Sequence, residues 1–219
     1  MYFLFMRHAE YEQPDMVPSA LLPHPLTLEG RGQSLEGAKK VKDFLYKNSD
    51  LSIVSLHCSK ALRAYETADI LKTELELDLE MNQTDDLLER NMGPMANLRV
   101  DEIERIVDRD PRLESLPEGW KSSRDYCLPY KGAESLAIAG KRVAKYISSV
   151  KLEANGLNVF VGHGASFRHA AHELGILKLE DIQKLSMYYA EPLVFKFEEG
   201  KWRLIFGQWK VRARKENID

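Results

Sequence analysis

The first six residues, Met1-Tyr2-Phe3-Leu4-Phe5-Met6, are apolar without alternation, and the chain then turns abruptly to Arg7-His8-Ala9-Glu10. A strand apolar on both sides has both its faces covered, which fits a mainly parallel sheet with helices above and below it. The run is therefore read as a central strand. Its carboxyl edge presents Arg7 and His8, the edge at which open α/β sheets place their ligand sites. An isolated Arg-His pair at a strand end is usually ordinary surface, so the rest of the chain decides what this pair means.

Two more apolar runs, Leu51 to Leu56 and Leu157 to Val161, read as further buried strands. Between them lie helical patterns. Thr27 caps a helix with Leu35, Ala38, Val41, Phe44 and Leu45 inward, and Ser59 caps another carrying Ala64, Ala68, Ile70 and Leu71. Glu134 to Val150 turns Leu136, Val143, Ile147 and Val150 inward, and a helix from Ala165 ends at Gly175. Pro192 to Phe197 and Trp202 to Phe206 alternate around Glu199-Gly200, which predicts a hairpin at a sheet edge. Lys210 to Asp219 reads as a polar tail. Strand alternating with helix predicts an α/β fold, a three-layer sandwich whose central sheet is mostly parallel with helices on both faces. No repeat or linker divides residues 1–219, so a single domain is expected.

Two stretches stand apart. Pro14, Pro18, Pro23 and Pro25 make a loop that passes over the strand edge. From about 79 to 132 the pattern is irregular: a helix over Leu98 to Val107 is stopped by Asp110-Pro111, and Pro117, Gly119, Pro129 and Gly132 follow. A connection this long is more often functional than idle, and it is read as a lid-like excursion facing the substrate.

Composition narrows the partners. Hydrophobic residues at 44% and charged residues at 30% describe a globular chain, and a formal net charge of -3 gives no general pull toward nucleic acid or anionic lipid. Any anion site is therefore local. Cys58 and Cys127 lack metal-ligand spacing and form no framework, which suits a reducing compartment. The amino-terminal run lacks a basic lead and a cleavage site, and no stretch reaches the about 20 apolar residues of a membrane span. A cytoplasmic protein is expected, with oligomeric state left open, a dimer among the options.

Three later stretches complete a pattern with Arg7-His8. Cys58-Ser59-Lys60-Ala61-Leu62-Arg63 sets an arginine in the first turn of a helix, Leu87-Leu88-Glu89-Arg90-Asn91-Met92-Gly93 carries a loop glutamate, and Val161-Gly162-His163-Gly164 ends a strand in a histidine. With Leu26-Thr27-Leu28-Glu29-Gly30, this order resembles the histidine phosphatase superfamily, the branch that includes the cofactor-dependent phosphoglycerate mutases. The resemblance implies that His8 is the nucleophile, that Arg7, Arg63 and His163 bind phosphate, that Glu89 protonates the leaving group, and that no metal or other cofactor is needed.

The residue chemistry supports the same set. A neutral imidazole can attack phosphorus with one ring nitrogen while the other is held by a hydrogen bond. Arginine forks match phosphate oxygens, and Gly162 and Gly164 flank His163 just ahead of a helix amino terminus that favours an anion, so Gly164 joins the expected phosphate-binding residues. His163, His169 and His172 lack a carboxylate or cysteine partner at zinc-motif spacing. Mutases of the family follow the first motif with a glycine and a serine- and asparagine-rich loop; here the continuation is Ala9-Glu10-Tyr11-Glu12-Gln13-Pro14. The expectation is a phosphomonoester hydrolase acting on a small phosphorylated metabolite. A mutase-type phosphoryl transferase, a protein phosphohistidine or phosphotyrosine phosphatase, and a non-catalytic phosphate-binding module stand as alternatives.

Overall fold

The computed structural model describes residues 1–18, 21–151, 153 and 155–212. Strand β1 (Tyr2–Arg7) is central, as its unbroken apolar run requires: it pairs in parallel with β4 (Gly156–Gly162) and antiparallel with β6 (Pro192–Glu198). Strand β2 (Ser52–Ser59) lies parallel between β4 and β3 (Met81–Thr84), and β7 (Lys201–Phe206) closes the far edge as the hairpin partner of β6. The sheet order is β3-β2-β4-β1-β6-β7. A small ribbon joins β5 (Leu185–Ser186) to β8 (Lys210–Val211).

Successive β1 residues feed opposite layers, since strand side chains alternate. Leu4 and Met6 pack with Ala38, Val41 and Phe44 of α1 (Leu28–Lys47) and Ala64, Ala68 and Leu71 of α2 (Leu62–Glu74). Phe3 and Phe5 pack with Val143 and Ile147 of α4 (Leu136–Ser149) and Phe167 and Ala170 of α5 (Gly164–Glu173). The three-layer sandwich follows.

Local expectations met two corrections. Ser59 is the last residue of β2, and Ala61 precedes α2 without a side-chain cap, because buried His57 and Ser59 extend the strand past its apolar run. Leu35 is exposed on α1, whose inner face runs through Ser34, Gly37, Ala38, Val41 and Phe44. Thr27 does cap α1, its hydroxyl accepting the Gly30 N–H.

The stretch from 79 to 132 is more regular than its sequence suggests. Besides β3 it holds α3 (Val100–Arg109) and single 3-10 turns at Asp85–Leu87, Gly93–Met95 and Trp120–Ser122. Met92, Met95, Ile103, Trp120 and Leu128 form an apolar cluster of its own. A hydrogen bond from the Val100 N–H to the Met16 carbonyl (2.9 Å) ties it to the proline-rich loop. Short helix α6 (Leu179–Ile182) precedes β5. In the expected tail, Lys210–Val211 is strand β8 and 213–219 lie outside the described residues. Among the described residues no helix is long and apolar enough to cross a membrane.

Candidate active site

The parallel register places Arg7 opposite Gly162, so the chain leaves β1 and β4 at the same edge, and the His8 N–H donates to the Gly162 carbonyl (2.8 Å). The two histidines that end these strands face each other with ring centroids 5.1 Å apart. Arg63, in the first turn of α2, reaches between them, as helical side chains leaning toward the amino end can. Arg7, His8, Arg63, Glu89, His163 and Gly164 all line one cleft of about 780 Å³.

Arg63 fixes the tautomer of both rings, because a guanidinium can only donate. Its Nε donates to His8 Nε2 (3.2 Å) and its Nη2 to His163 Nδ1 (3.1 Å). His8 therefore carries its proton on Nδ1 and gives it to the Ala9 carbonyl (2.7 Å). His163 carries its proton on Nε2 and gives it to the Ser59 hydroxyl (2.9 Å). Burial pushes both imidazoles well below the ordinary 6.5, and the charges on Arg63 and then Arg7 push His8 further. Both rings are neutral at pH 7, and His8 keeps its lone pair on Nε2.

The arginines are braced by aromatic faces. Arg63 lies over the Tyr11 ring (4.5 Å to the centroid) and donates through Nη1 to the Leu22 carbonyl (3.3 Å). Arg7 lies over Tyr189 (4.1 Å) and donates to the Met187 carbonyl (3.2 Å), while its Nε is shut off from solvent and has no hydrogen-bond partner among the described residues. Arg7 lines the cleft, and a guanidinium there suits an incoming anion. Thr67 joins α2 to the loop after His8, donating to the Arg63 carbonyl and accepting the Ala9 N–H.

The glycines beside His163 are tightly packed, and Gly164 also lines the cleft. A Cβ on Gly162 would sit 2.8 Å from the Phe167 ring, and one on Gly164 3.1 Å from Arg7 Cδ. Glu89 enters beside the start of α5. One of its oxygens accepts the Ala165 N–H in the first turn of α5 and the other the Arg90 N–H, both at 3.0 Å. Behind it, Arg142 of α4 donates to the carbonyls of Asp85, Asp86, Leu88 and Glu89 and is held by both oxygens of Glu134. One guanidinium thus shapes the whole turn that carries Glu89.

Sequence reasoning gave no site role to Tyr11, Tyr189, Ser59 or Arg142, nor to Arg90, Lys121, Arg168 and Arg212, which add positive charge to the cleft. Ser59 and Arg90 stand inside the quoted motifs, but Ser59 was read as a helix cap and Arg90 only as part of the Glu89 stretch. Glu10 is spent elsewhere: its carboxylate accepts the Thr27 hydroxyl (2.9 Å) and it does not line the cleft, while Glu12 is exposed. The acidic loop after His8 therefore puts no carboxylate against a ligand. Among the described residues no group of three His, Cys, Asp or Glu side chains could hold a metal ion.

The order and geometry have relatives. A 2,3-bisphosphoglycerate-dependent phosphoglycerate mutase of Bartonella henselae is 29% identical over 177 residues, covering 78% of this chain and 80% of that protein. Its counterpart in Parvibaculum lavamentivorans is 27% identical over 178 residues, covering 80% and 79%. Among solved structures, a mycobacterial glucosyl-3-phosphoglycerate phosphatase shares the fold at 20% identity and a TM-score of 0.69, covering 93% of this chain and 96% of that one. The alpha-ribazole phosphatase of Shigella flexneri does so at 16% identity and a TM-score of 0.72, covering 94% and 95%. The sequence pattern of the histidine phosphatase superfamily (branch 1) matches residues 3–209. The chain belongs to branch 1 of the histidine phosphatase superfamily.

Proposed function

We propose that this protein is a phosphomonoester hydrolase that works through a phosphohistidine on His8 Nε2, as one catalytic domain acting on a small phosphorylated metabolite. The observation that carries the reading is the His8 tautomer: Nδ1–H is tied to a backbone carbonyl, and the free lone pair on Nε2 meets Arg63 in the cleft. An incoming phosphoryl group takes over the Arg63 bond and releases that lone pair. Arg7 and Arg63 hold the equatorial oxygens as the Nε2–P bond forms and the ester P–O bond breaks. Glu89 delivers its proton to the departing alkoxide, then as a carboxylate takes a proton from the water that attacks phosphorus and returns His8 with inorganic phosphate. As Arg63 turns to the phosphoryl group and frees His163 Nδ1, that nitrogen takes the proton of a singly ionised substrate phosphate, and the imidazolium so formed donates to the phosphoryl oxygens. No step calls on a metal, because the two arginines supply the positive charge on the phosphoryl oxygens.

Among the described residues the lining sets Arg7, Arg63, Arg90, Lys121, Arg168 and Arg212 against the single carboxylate of Glu89, which suits small, strongly anionic substrates. Lys121 and Ser122 bring the 79–132 excursion to the rim, as a lid over a small substrate would. Cys58 and Cys127 are both free thiols, which fits a reducing, cytoplasmic setting. Rapid quenching with phosphorylated substrate should trap an acid-labile, base-stable label that is absent from His8→Ala; label persisting in that variant rejects the assignment.

Mutase-type transfer is the second reading, favoured by the identity to two mutases over about four-fifths of the chain. Against it, the loop after His8 gives the cleft Tyr11, Gln13 and Pro18 among its described residues, and Ala9-Glu10-Tyr11-Glu12-Gln13-Pro14 is not the mutase continuation. Incubation with 3-phosphoglycerate and catalytic 2,3-bisphosphoglycerate should release phosphate with little 2-phosphoglycerate; efficient isomerisation makes the mutase reading the correct one.

A further inference from the structure

His8 and His163 directly follow strands, whereas Glu89 lies in a loop, just beyond the 3-10 turn Asp85–Leu87. A side chain on a loop is aimed only as well as its backbone is held. Two residues that do not themselves line the cleft, Glu134 and Arg142, hold that backbone. Arg142 engages all three guanidinium nitrogens: Nη1 donates to the carbonyls of Asp85 (3.2 Å), Asp86 (2.9 Å) and Leu88 (3.1 Å), and Nη2 to that of Glu89 (3.3 Å). Nε donates to Glu134 Oε1 (2.8 Å), and Nη2 also to Glu134 Oε2 (2.7 Å). Glu134 stands just before Ser135, the cap of α4, and Arg142 lies in the second turn, its side chain leaning back toward the helix start. The other side of Glu89 is gripped as well. Glu134 Oε2 accepts the Asn91 N–H (3.0 Å), the Glu134 N–H donates to the Asn91 carbonyl (2.8 Å), and Met92 bridges to Ala133.

We infer that Glu134 and Arg142 form a positioning pair for the general acid, fixing the chain from Asp85 to Asn91 so that the Glu89 carboxyl meets the leaving oxygen. The inference rests on the proposed role of Glu89 and adds what makes that role possible. An acid must come within about 2.6–3.2 Å of the oxygen it protonates, and a misplacement of about 1 Å can cost about 10²-fold. Four carbonyls and a carboxylate converging on one side chain need the planar fork of arginine; a lysine has three donors on a single nitrogen. The side chains of Arg142 and Glu134 are 21% and 16% exposed, so this two-pronged pair is shielded from the solvent that weakens surface ion pairs. A tie that merely fastened α4 to the sheet would change stability without regard to the leaving group. A positioning pair changes how the rate depends on it.

The test reads single-turnover transfer of phosphate to His8 in Arg142→Lys and Glu134→Gln. Lysine keeps the positive charge and lacks the fork; glutamine keeps the shape and lacks the charge that pairs with it. The measured quantity is the ratio of the transfer rate from p-nitrophenyl phosphate to that from phenyl phosphate, an ester of nearly the same shape whose phenolate leaves less readily. Loss of folded protein leaves this ratio unchanged, because both esters meet the same enzyme. Each variant should raise it about tenfold or more, since only the poorer leaving group needs the acid. Introduced into Glu89→Gln, neither should raise it further by more than about threefold, because a positioning residue does nothing once the group it positions is gone. A rise below tenfold in either variant that folds overturns the inference, as does a larger further rise in the Glu89→Gln background; one folded variant suffices to decide. The proposed function fails differently, by absence of label on His8 or by a Glu89→Gln ratio equal to that of the unsubstituted protein.

Discussion

At the scale of single residues, the site turns on one arginine that donates to two histidines and so orders both protons. In the proposed mechanism the leaving-group proton falls to Glu89, the one carboxylate that lines the cleft among the described residues. Glu89→Gln should slow the transfer of phosphate from alkyl esters to His8 by roughly 10²–10⁴ in single turnovers and the transfer from p-nitrophenyl phosphate, read as the release of phenolate, by less than tenfold, because the phenolate departs without a proton. The variant should still take label on His8, and keep it longer, because Glu89 is also the base for the attacking water. Equal slowing of the transfer step with both esters would make Glu89 a positioning residue instead, an alternative its geometry allows because its two oxygens hold the Ala165 and Arg90 amides. Arg7, His8 and His163 were legible because they lie at the ends of apolar strands, whereas Arg63 in a helix's first turn and the loop residue Glu89 were legible only through the family resemblance. Tyr11 and Tyr189 were not, because a ring stacked on an arginine leaves no mark in the spacing of either residue. Ser59 was read as a helix cap; its hydroxyl accepts from His163 across 104 positions of sequence.

At the scale of elements, α1 shows how tightly a helix is seated on the loop after His8. A Cβ on Gly30 would lie 1.9 Å from the Glu10 carbonyl oxygen, whereas one on Gly32 would meet nothing within 4 Å. Glycine to alanine in a helix normally stabilises by about 0.5–1 kcal/mol. Gly32→Ala should gain about that much. Gly30→Ala should reverse the sign, since forced overpacking costs about 1–3 kcal/mol, and should cut activity because Glu10 follows His8 by two residues. Urea denaturation and p-nitrophenyl phosphate turnover of the two variants, side by side, check both signs; similar gains in both would mean that α1 is not seated on the loop. The sheet itself was readable from its unbroken apolar runs. Strand β3 was missed, because the sequence Met81-Asn82-Gln83-Thr84 at a sheet edge buries too little to look like a strand.

At the scale of the whole molecule, the layers that cover both faces of the sheet also bury its histidines. His57 is pushed down to about 4 by burial, His169 to about 3, and His8 and His163 well below 6.5. In the unfolded chain each titrates near 6.5, so below that pH the unfolded state binds protons that the folded state refuses, and stability must fall with pH. The stability these groups allow is fully present above 6.5. It is lost progressively down to about 4 for His57 and about 3 for His169, each adding a slope of about 1.4 kcal/mol per pH unit while its folded form stays neutral. Carboxylate pairs act lower: Asp110 is held at about 2 by hydrogen bonds from Arg112 and releases its contribution only below the ordinary carboxyl value of 3.8. Glu198, held below its ordinary 4.5 by Lys196, joins the histidines only near the lower end, so the upper part of the interval from about pH 6.5 to 4 belongs to them. Urea midpoints should drop steadily across it, at constant ionic strength. His57→Phe should keep the stack on Phe160 and lose the hydrogen bond to the Tyr146 hydroxyl, lowering stability at neutral pH. In the same variant the slope within the interval should shrink by one proton. A flat profile between these limits, or an unchanged slope in His57→Phe, would show that His57 titrates alike in the folded and unfolded states.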